Sequence, residues 1–211
     1  RIIIGKIDHP TPELSSKIYQ IVSLPYWRVP SSIAKKEILP ALKRNAGYLQ
    51  KEHMRIYGAG KKEIDPRTVK WKKIKNNTFP YQIEQDPGPW NSLGLIKFEF
   101  ANHFSVYVHD TPSRGLFGQN FRSFSHGCMR AQDPIELGKL LLTHDKKGDI
   151  PNKVSADSLQ VLIDKQIHQR IPLRQPIPIF VAYQTVTADQ KGLYFHLDLY
   201  QKEQALIALF G

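Results

Sequence analysis

The sequence predicts a mainly β protein with short helices, of the α+β class. The 211 residues include 15 prolines and 13 glycines, which is typical of a loop-rich, strand-rich protein rather than a helical bundle. β-Branched and aromatic residues fall in short runs, one of them with the two-residue alternation of a half-buried strand. The apolar fraction of 41% is enough for a substantial core, whereas no apolar run approaches the roughly 18 residues that a membrane span needs.

Short β-branched runs predict strands in both halves of the chain: Ile2–Ile7, Lys17–Leu24, Leu95–Phe100 and Phe104–His109. In the last of these, an apolar row of Phe104, Val106 and Val108 alternates with a row that contains Tyr107 and His109. Successive strand residues point to opposite faces, so Tyr107 and His109 share one face. If the apolar row lies in the core, His109 faces a cleft at the end of its strand.

The chain changes character between residues 26 and 80, which we interpret as an insertion. The proline-bounded segment PYWRVP (25–30) opens it, and residues 26–85 contain 14 Lys+Arg against 5 Asp+Glu. Within it, Ser31–Leu39 and Pro40–Gln50 are predicted helices, with Ser31 or Ser32 as the N-cap of the first. Residues 1–25 and 81–211 would then form one domain that this basic, partly helical segment interrupts.

The last part of the chain predicts two helices and a hairpin. Asp133 is followed by proline and, three positions on, by Glu136, which is the pattern of a capping box at the start of a helix that runs through Leu142. A second helix is predicted at Ser158–His168. Ile177–Val186 and Leu193–Leu199 are predicted to form a hairpin around residues 188–192, and the apolar tail QALIALF (204–210) is expected to dock as a helix or a strand.

The formal net charge of +11 limits the classes of partner. A basic surface concentrates polyanions such as nucleic acid, anionic lipid or an acidic cell-wall polymer, although it can also be a solvated lysine-rich face. No basic-aromatic repeat or recognised nucleic-acid module is present, so we expect no nucleic-acid partner. The eight histidines show neither HxxxH nor HExxH spacing, so we expect no metal site and no cofactor.

The start of the chain indicates a piece of a longer protein. It opens with RIIIGKI rather than with Met, and we expect any export signal or companion domain to lie outside it. A single cysteine excludes an internal disulfide.

The stretch from residue 109 to residue 130 has the residue types of a thiol active site. It begins with His109 and contains Cys128, the only cysteine in the chain. A thiol nucleophile needs a base within hydrogen-bonding reach, and an adjacent imidazolium also lowers the thiol's pKa. We therefore interpret Cys128 as a nucleophile that His109 activates, rather than as an inert core thiol.

The residues around Cys128 are suited to the same chemistry. Gly127 permits a turn that a side chain would block, which directs the N–H groups of Gly127 and Cys128 toward one point. These amides are candidate donors to the oxyanion of a tetrahedral intermediate. Arg130 is a candidate for bidentate binding of a substrate carboxylate.

The ordered set His-x15-Ser-His-Gly-Cys-x-Arg resembles the signature of the L,D-transpeptidases with a YkuD domain. The residues that carry this resemblance are His109, Ser125, His126, Gly127, Cys128 and Arg130. The stretches PYWRVP, ILPALKRN, EIDP, PGPWNSLG and HDTP resemble the large, YcbB-like Gram-negative subgroup, so that nearly the whole chain is covered. The resemblance implies a YkuD-type β-sandwich catalytic core, interrupted by a lid subdomain where the basic insertion lies.

The resemblance also implies roles for individual residues. Cys128 would be the nucleophile, His109 its base, and the amides of Gly127 and Cys128 the oxyanion hole. The remaining site residues would bind substrate or shape the turn: Ser125 and His126 in the turn, Tyr107 in the pocket, Trp27 where the lid meets the cleft, and Arg130. Arg130 stands where other members carry Asn, and it would support either the turn or the donor's carboxylate.

The implied reaction is acyl transfer on peptidoglycan stem peptides in the periplasm. The thiolate would attack the L-centre carbonyl of diaminopimelate in a tetrapeptide stem and expel D-Ala, and a diaminopimelate amine of a second stem would resolve the thioester into a 3→3 cross-link. Alternatives with the same chemistry use an amine of an outer-membrane protein, which anchors that protein to the wall, or use water. A noncatalytic peptidoglycan-binding module is the alternative from another class. Carbapenem-type inhibitors are expected to acylate Cys128.

Overall fold

The computed structural model describes residues 1–75, 78–147 and 149–203. The strands are β1 Ile2–Gly5, β2 Leu14–Ser23, β3 Trp27–Arg28, β4 Met54–Tyr57, β5 Glu63–Ile64, β6 Gln82–Gln85, β7 Ile96–Phe100, β8 Val108–His109, β9 Ser123–Ser125, β10 Met129–Ala131, β11 Lys146–Lys147, β12 Ile150–Pro151, β13 Gln169–Val181, β14 Val186–Asp189 and β15 Gly192–Phe195. The α-helices are α1 Ser31–Ile33, α2 Leu39–Arg44, α3 Tyr48–Lys51, α4 Pro134–His144 and α5 Ala156–Asp164. A π-helical turn covers Ala34–Ile38, and 3₁₀ turns cover Ala59–Lys61, Pro66–Thr68, Trp71–Lys73 and Arg114–Gly118.

Within the described residues the main sheet has seven strands in the order β13-β2-β7-β8-β10-β1-β9. One face of this sheet packs against α4 and α5, and the core between them includes Ile21, Ile96, Phe98, Leu142 and Leu159, all at most 4% exposed. The fold is mixed α+β, with most strands in sheets and a few short helices, which confirms the predicted class. It is consistent with a β-sandwich catalytic core.

A second, four-stranded sheet has the order β3-β6-β4-β5. It has its own hydrophobic core, in which Leu39, Leu49, Ile56 and Ile83 are completely buried. Its strands come from the part of the chain between β3 and β6. The last of them, β6, lies beyond residue 80, where we predicted that the insertion ends. Pairing with β3 and β4 explains this, since both lie inside the predicted range.

The strand predicted at Phe104–His109 is wrong over its first four residues. Only Val108–His109 is a strand; Phe104 is 59% exposed and Ser105 has a φ of +57°. The Asn102 side chain accepts hydrogen bonds from the N–H groups of Phe104 and Val106 and donates to the carbonyls of Phe100 and Val106. Asn102 thus satisfies backbone groups that a sheet would otherwise pair.

Predicted helix caps also differ from the structure. The N-cap of α1 is Pro30, with no side-chain cap hydrogen bond, and neither Ser31 nor Ser32 caps the helix. Asp133 is the N-cap of α4 but makes no side-chain cap hydrogen bond, while Glu136 pairs with Lys139 instead. These two helix starts are therefore correct to within a residue, but the capping interactions are not made. The bounds of the other two predicted helices are wrong: Pro40–Gln50 is divided into α2 and α3, and α5 begins and ends before Ser158–His168 does.

The C-terminal hairpin is shorter than predicted. β13 begins before Ile177 and pairs with β2, so only β14 and β15 form the hairpin. β13 lies at the edge of the main sheet, where its prolines need not donate to a neighbouring strand. The predicted docking of the tail lies outside the described residues.

Candidate active site

Strand pairing brings the predicted nucleophile, base and arginine together on one face of the main sheet. β8 and β10 are parallel, with Arg130 opposite His109 and Met129 opposite Val108. Val108 and Met129 point into the core, at 9% and 5% exposure, so His109 and Arg130 point to the other face. Tyr107 and Cys128 precede these two by two residues each, and alternation places them on the same face. The N–H of Met129 donates to the Tyr107 carbonyl at 3.1 Å, which continues the pairing.

His109 is more deeply placed than the sequence predicts, at only 4% exposure. Its Nδ1 donates to the backbone carbonyl of Asp110. A backbone carbonyl, rather than the Asp110 carboxylate, therefore orients the ring. Burial, with a smaller contribution from the charge of Arg130, lowers the pKa of His109 to about 3. The imidazole is consequently neutral at neutral pH.

Cys128 is partly buried against the core, and it interacts with Tyr107. Burial raises the pKa of the Cys128 thiol, while hydrogen bonds from the backbone and the hydroxyl of Tyr107, together with Arg130, act in the opposite direction. Burial, followed by the nearby Cys128, also raises the pKa of Tyr107. The Tyr107 ring lies 5.5 Å from the His109 ring in an edge-on contact. The resting site thus holds a protonated thiol and a neutral imidazole, each in contact with the same tyrosine.

The turn before Cys128 is held by hydroxyl groups. Gly127 has a φ of +108°, a conformation that other residues rarely adopt. The Ser125 hydroxyl accepts from the Gly127 N–H at 3.1 Å and donates to the Cys128 carbonyl at 2.5 Å. The Gly127 amide, a predicted oxyanion donor, is therefore already engaged. The predicted place of Ser125 in this turn agrees with these contacts.

Thr11, which the sequence analysis missed, fixes the peptide between Gly127 and Cys128. Its Oγ1 donates to the Gly127 carbonyl and accepts from the Gly5 N–H, both at 2.9 Å. In a trans peptide the C=O and the next N–H point in opposite directions, so anchoring this carbonyl sets the direction of the Cys128 N–H. Within the described part of the chain, the Cys128 N–H has no hydrogen-bond partner. No local pattern marks Thr11, because 116 positions separate it from Gly127.

Replacing Thr11 with valine is expected to slow acylation of Cys128 by on the order of tenfold or more, because the Gly127 carbonyl and the Gly5 N–H lose a partner in a buried site. The unmet groups should also destabilise the protein by roughly 1–3 kcal/mol. Thr11→Ser keeps the hydroxyl and serves as the control. Intact-mass time courses with an acylating β-lactam, together with thermal unfolding, measure both effects. A valine variant that reacts at the wild-type rate would contradict this role.

Arg130 is a partly buried cation beside the thiol. Burial lowers its pKa, whereas Cys128 raises it. Its Nε is buried without a hydrogen-bond partner, and no carboxylate of the described residues forms an ion pair with it. Arg130 is thus available to an anionic group that enters from the Cys128 side.

The insertion touches the site at two places. The Trp27 side chain hydrogen-bonds with Tyr107, which brings β3 over the pocket. His126 Nε2 lies 2.7 Å from Oε1 of Glu37 in the π-helical turn, and its ring is 5.3 Å from that of His9. His126 therefore bridges the turn before Cys128 and the insertion.

A charged pair next to His109 was also missed. Lys97 lies opposite His109 in the β7–β8 pairing, and its Nζ is 5.1 Å from the centre of the Tyr107 ring. Lys97 and Glu99 form an ion pair at 2.5 Å. The alternation of IKFEF (96–100) is a signal that could have placed both on the face of Tyr107 and His109.

Two further observations concern the described residues alone. In ranges 1–75, 78–147 and 149–203, His, Cys, Asp and Glu side chains form no group of three or more that could hold a metal ion. Over the same ranges, the helices are too short or too polar to cross a bilayer.

Comparisons with known proteins agree with the geometry. Residues 1–155 match the YkuD family, described as the L,D-transpeptidase catalytic domain. A protein of Haemophilus influenzae named "Putative L,D-transpeptidase" is 30% identical over 200 residues, which are 95% of this chain and 39% of that protein. The chain therefore spans well under half the length of that relative.

Proposed function

The chain belongs to the YkuD family of L,D-transpeptidase catalytic domains, and we propose that it forms 3→3 cross-links in peptidoglycan through a thioester on Cys128. The observation that carries the proposal is the shared sheet face on which Cys128, His109 and Arg130 meet. Peptidoglycan lies in the periplasm of Gram-negative cells, which is where we propose that the chain acts. The separate core of the insertion supports assignment to the YcbB-like subgroup.

The first step transfers the donor's acyl group to sulfur. His109 accepts the thiol proton as sulfur attacks the L-centre carbonyl of diaminopimelate, while the Asp110 carbonyl holds its Nδ1. The carbonyl oxygen becomes an oxyanion, and the unpartnered Cys128 N–H is placed to donate to it. When the intermediate collapses, the C–N bond to D-Ala breaks, and the leaving amine takes the proton from His109.

The second step releases the enzyme. The side-chain amine of an acceptor diaminopimelate attacks the thioester and gives a proton to His109. The C–S bond breaks, and the thiolate recovers that proton. Because the resting thiol and imidazole are both neutral, proton transfer accompanies attack in each step rather than preceding it.

Purified protein incubated with tetrapeptide-rich sacculi is expected to release 3→3 dimers after muramidase digestion. Mass spectrometry of the muropeptides detects these dimers and the free D-Ala. Protein boiled before incubation is the blank.

Each other product identifies a different acceptor and contradicts the cross-linking proposal. Tripeptide without dimer would indicate water, and a stem linked to an added protein amine would indicate anchoring. Unchanged tetrapeptide would contradict transpeptidase activity itself.

A further inference from the structure

A small cavity lies between the main sheet and the four-stranded sheet. Its volume is about 140 Å³. Its lining side chains are Val22, Pro25, Tyr26, Glu84, Lys97, Glu99, His168 and Arg170. Glu84 comes from β6 of the four-stranded sheet, whereas Lys97, Glu99 and Arg170 come from β7 and β13 of the main sheet. The cavity is therefore formed only when the two sheets face each other.

The cavity continues the catalytic face. Successive strand pairings place Arg170 opposite Val22, Val22 opposite Lys97, and Lys97 opposite His109. These residues form one row across the sheet, and neighbouring strands lie about 4.8 Å apart. The middle of the cavity, between β2 and β7, is then on the order of 10 Å from the reacting groups on β8 and beside β10.

Two of the four charged side chains that line the cavity pair with each other, and the other two form no ion pair in the described part of the chain. Lys97 and Glu99 pair with each other, and Glu99 also accepts a hydrogen bond from Gln20 at 2.6 Å. Glu84 and Arg170 take part in no ion pair among the described residues. One carboxylate and one guanidinium therefore remain for a ligand that carries both signs of charge.

An aromatic wall closes one side. The rings of Tyr26 and His168 meet edge-on at 5.0 Å, and His168 Nδ1 donates to the Leu24 carbonyl at 2.9 Å. This contact fixes the imidazole, so the wall is preorganised before a ligand enters. The volume suits an amino-acid head group and is well below the roughly 300–1,000 Å³ of a site for a whole drug-sized ligand.

We propose that this cavity binds the zwitterionic head group at the end of the donor's diaminopimelate side chain. This inference rests on the proposed function. Arg170 binds the carboxylate and Glu84 binds the ammonium, while the L-centre carbonyl of the same residue lies at Cys128. From the L-centre carbonyl to the far carboxylate, diaminopimelate extends over six carbon–carbon bonds, about 8 Å when straight, and with the bond to sulfur this is on the order of the separation between the cavity and the thiol. The site thus selects the donor by its side chain.

Two donor tetrapeptides that differ only at the third residue test the inference. One carries diaminopimelate, and the other carries L-lysine, which keeps the ammonium but lacks the carboxylate. Intact-mass kinetics give the rate of acylation of the protein by each. The wild type is expected to prefer the diaminopimelate donor by on the order of tenfold, as expected for a charge-assisted contact.

Variants separate the two contacts. Arg170→Gln is expected to bring the ratio of the two rates close to one by slowing only the diaminopimelate donor, and Arg170→Lys should restore part of the preference. Glu84→Gln should slow both donors and keep the ratio. Arg44→Gln, at the exposed end of α2 and outside the cavity lining, is the matched control and should behave as the wild type.

The outcomes distinguish this inference from the function on which it rests. Equal rates with both donors in the wild type, or an unchanged ratio in Arg170→Gln, would overturn the head-group site and leave the transpeptidase proposal standing. Failure of both donors to acylate the wild type would overturn both.

Discussion

Cys128→Ala is expected to lose all covalent reaction with carbapenems and with tetrapeptide donors. Cys128 carries the only thiol in the chain. Without its sulfur, Tyr107, His109 and Arg130 surround no atom that could attack the carbonyl carbon of the substrate. Intact-mass spectrometry should show the wild type gaining the mass of one carbapenem and the variant gaining none. In the sacculus assay the variant should release neither D-Ala nor 3→3 dimers.

The substitution is small and should leave the fold intact, which near-UV circular dichroism and the unfolding temperature can check. A carbapenem adduct on the alanine variant would place the nucleophile elsewhere. Dimer formation by that variant would contradict the thioester mechanism directly.

His109→Gln is expected to slow acylation by roughly 10²–10⁴-fold, the usual contribution of a general base. The wild-type rate should not fall as the pH drops through 6.5, because burial lowers the pKa of His109 to about 3 and the ring stays neutral. Rapid-quench acylation rates between pH 5 and pH 8 measure both effects. A wild-type rate that halves near pH 6.5 would contradict a buried neutral base.

The same lowered pKa of His109, again caused by burial, predicts a pH-dependent stability. Above pH 6.5 the ring is neutral in both the folded and the unfolded state. As the pH falls below 6.5, His109 binds a proton in the unfolded chain but stays neutral in the folded protein. The free energy of unfolding therefore decreases, by about 1.4 kcal/mol for each unit of difference between the pKa values of the two states. His109→Gln lacks this component, so the wild type should lose more stability than the variant between pH 7.5 and pH 5 in urea titrations. A difference that stays constant with pH would contradict it.

The local geometry of the candidate site could be predicted because it lies in one short stretch. Cys128, Gly127 and Ser125 are neighbours, and their turn follows from the conformational freedom of glycine and the hydrogen-bonding of a serine hydroxyl. That a backbone carbonyl, and not the Asp110 carboxylate, orients the His109 ring also follows from local geometry, since the side chains of neighbouring strand residues point to opposite faces. The class of the fold was predicted on similar grounds, from short alternating runs.

The extent of individual elements was less predictable, because side chains competed with the backbone. Asn102 ended the sheet before Phe104, although the alternation of that segment is that of a strand. The Asp133 side chain does not cap α4, although its spacing to Glu136 is that of a capping box. These outcomes depend on which of several hydrogen bonds is made, and the residue pattern permits each of them.

The amino-acid sequence was sufficient to predict the family and the mixed α+β class and to single out a candidate thiol and base, since these depend on residue types at close spacing. Only the tertiary structure determined that the Cys128 N–H is left unpartnered among the described residues, how deeply His109 is buried, and which charges face each other across the cavity between the two sheets. Thr11, Lys97 and Arg170 acquire their positions from strands far apart in the chain. Strand register and the facing of the two sheets are long-range packing properties, and no short segment of the chain contains them.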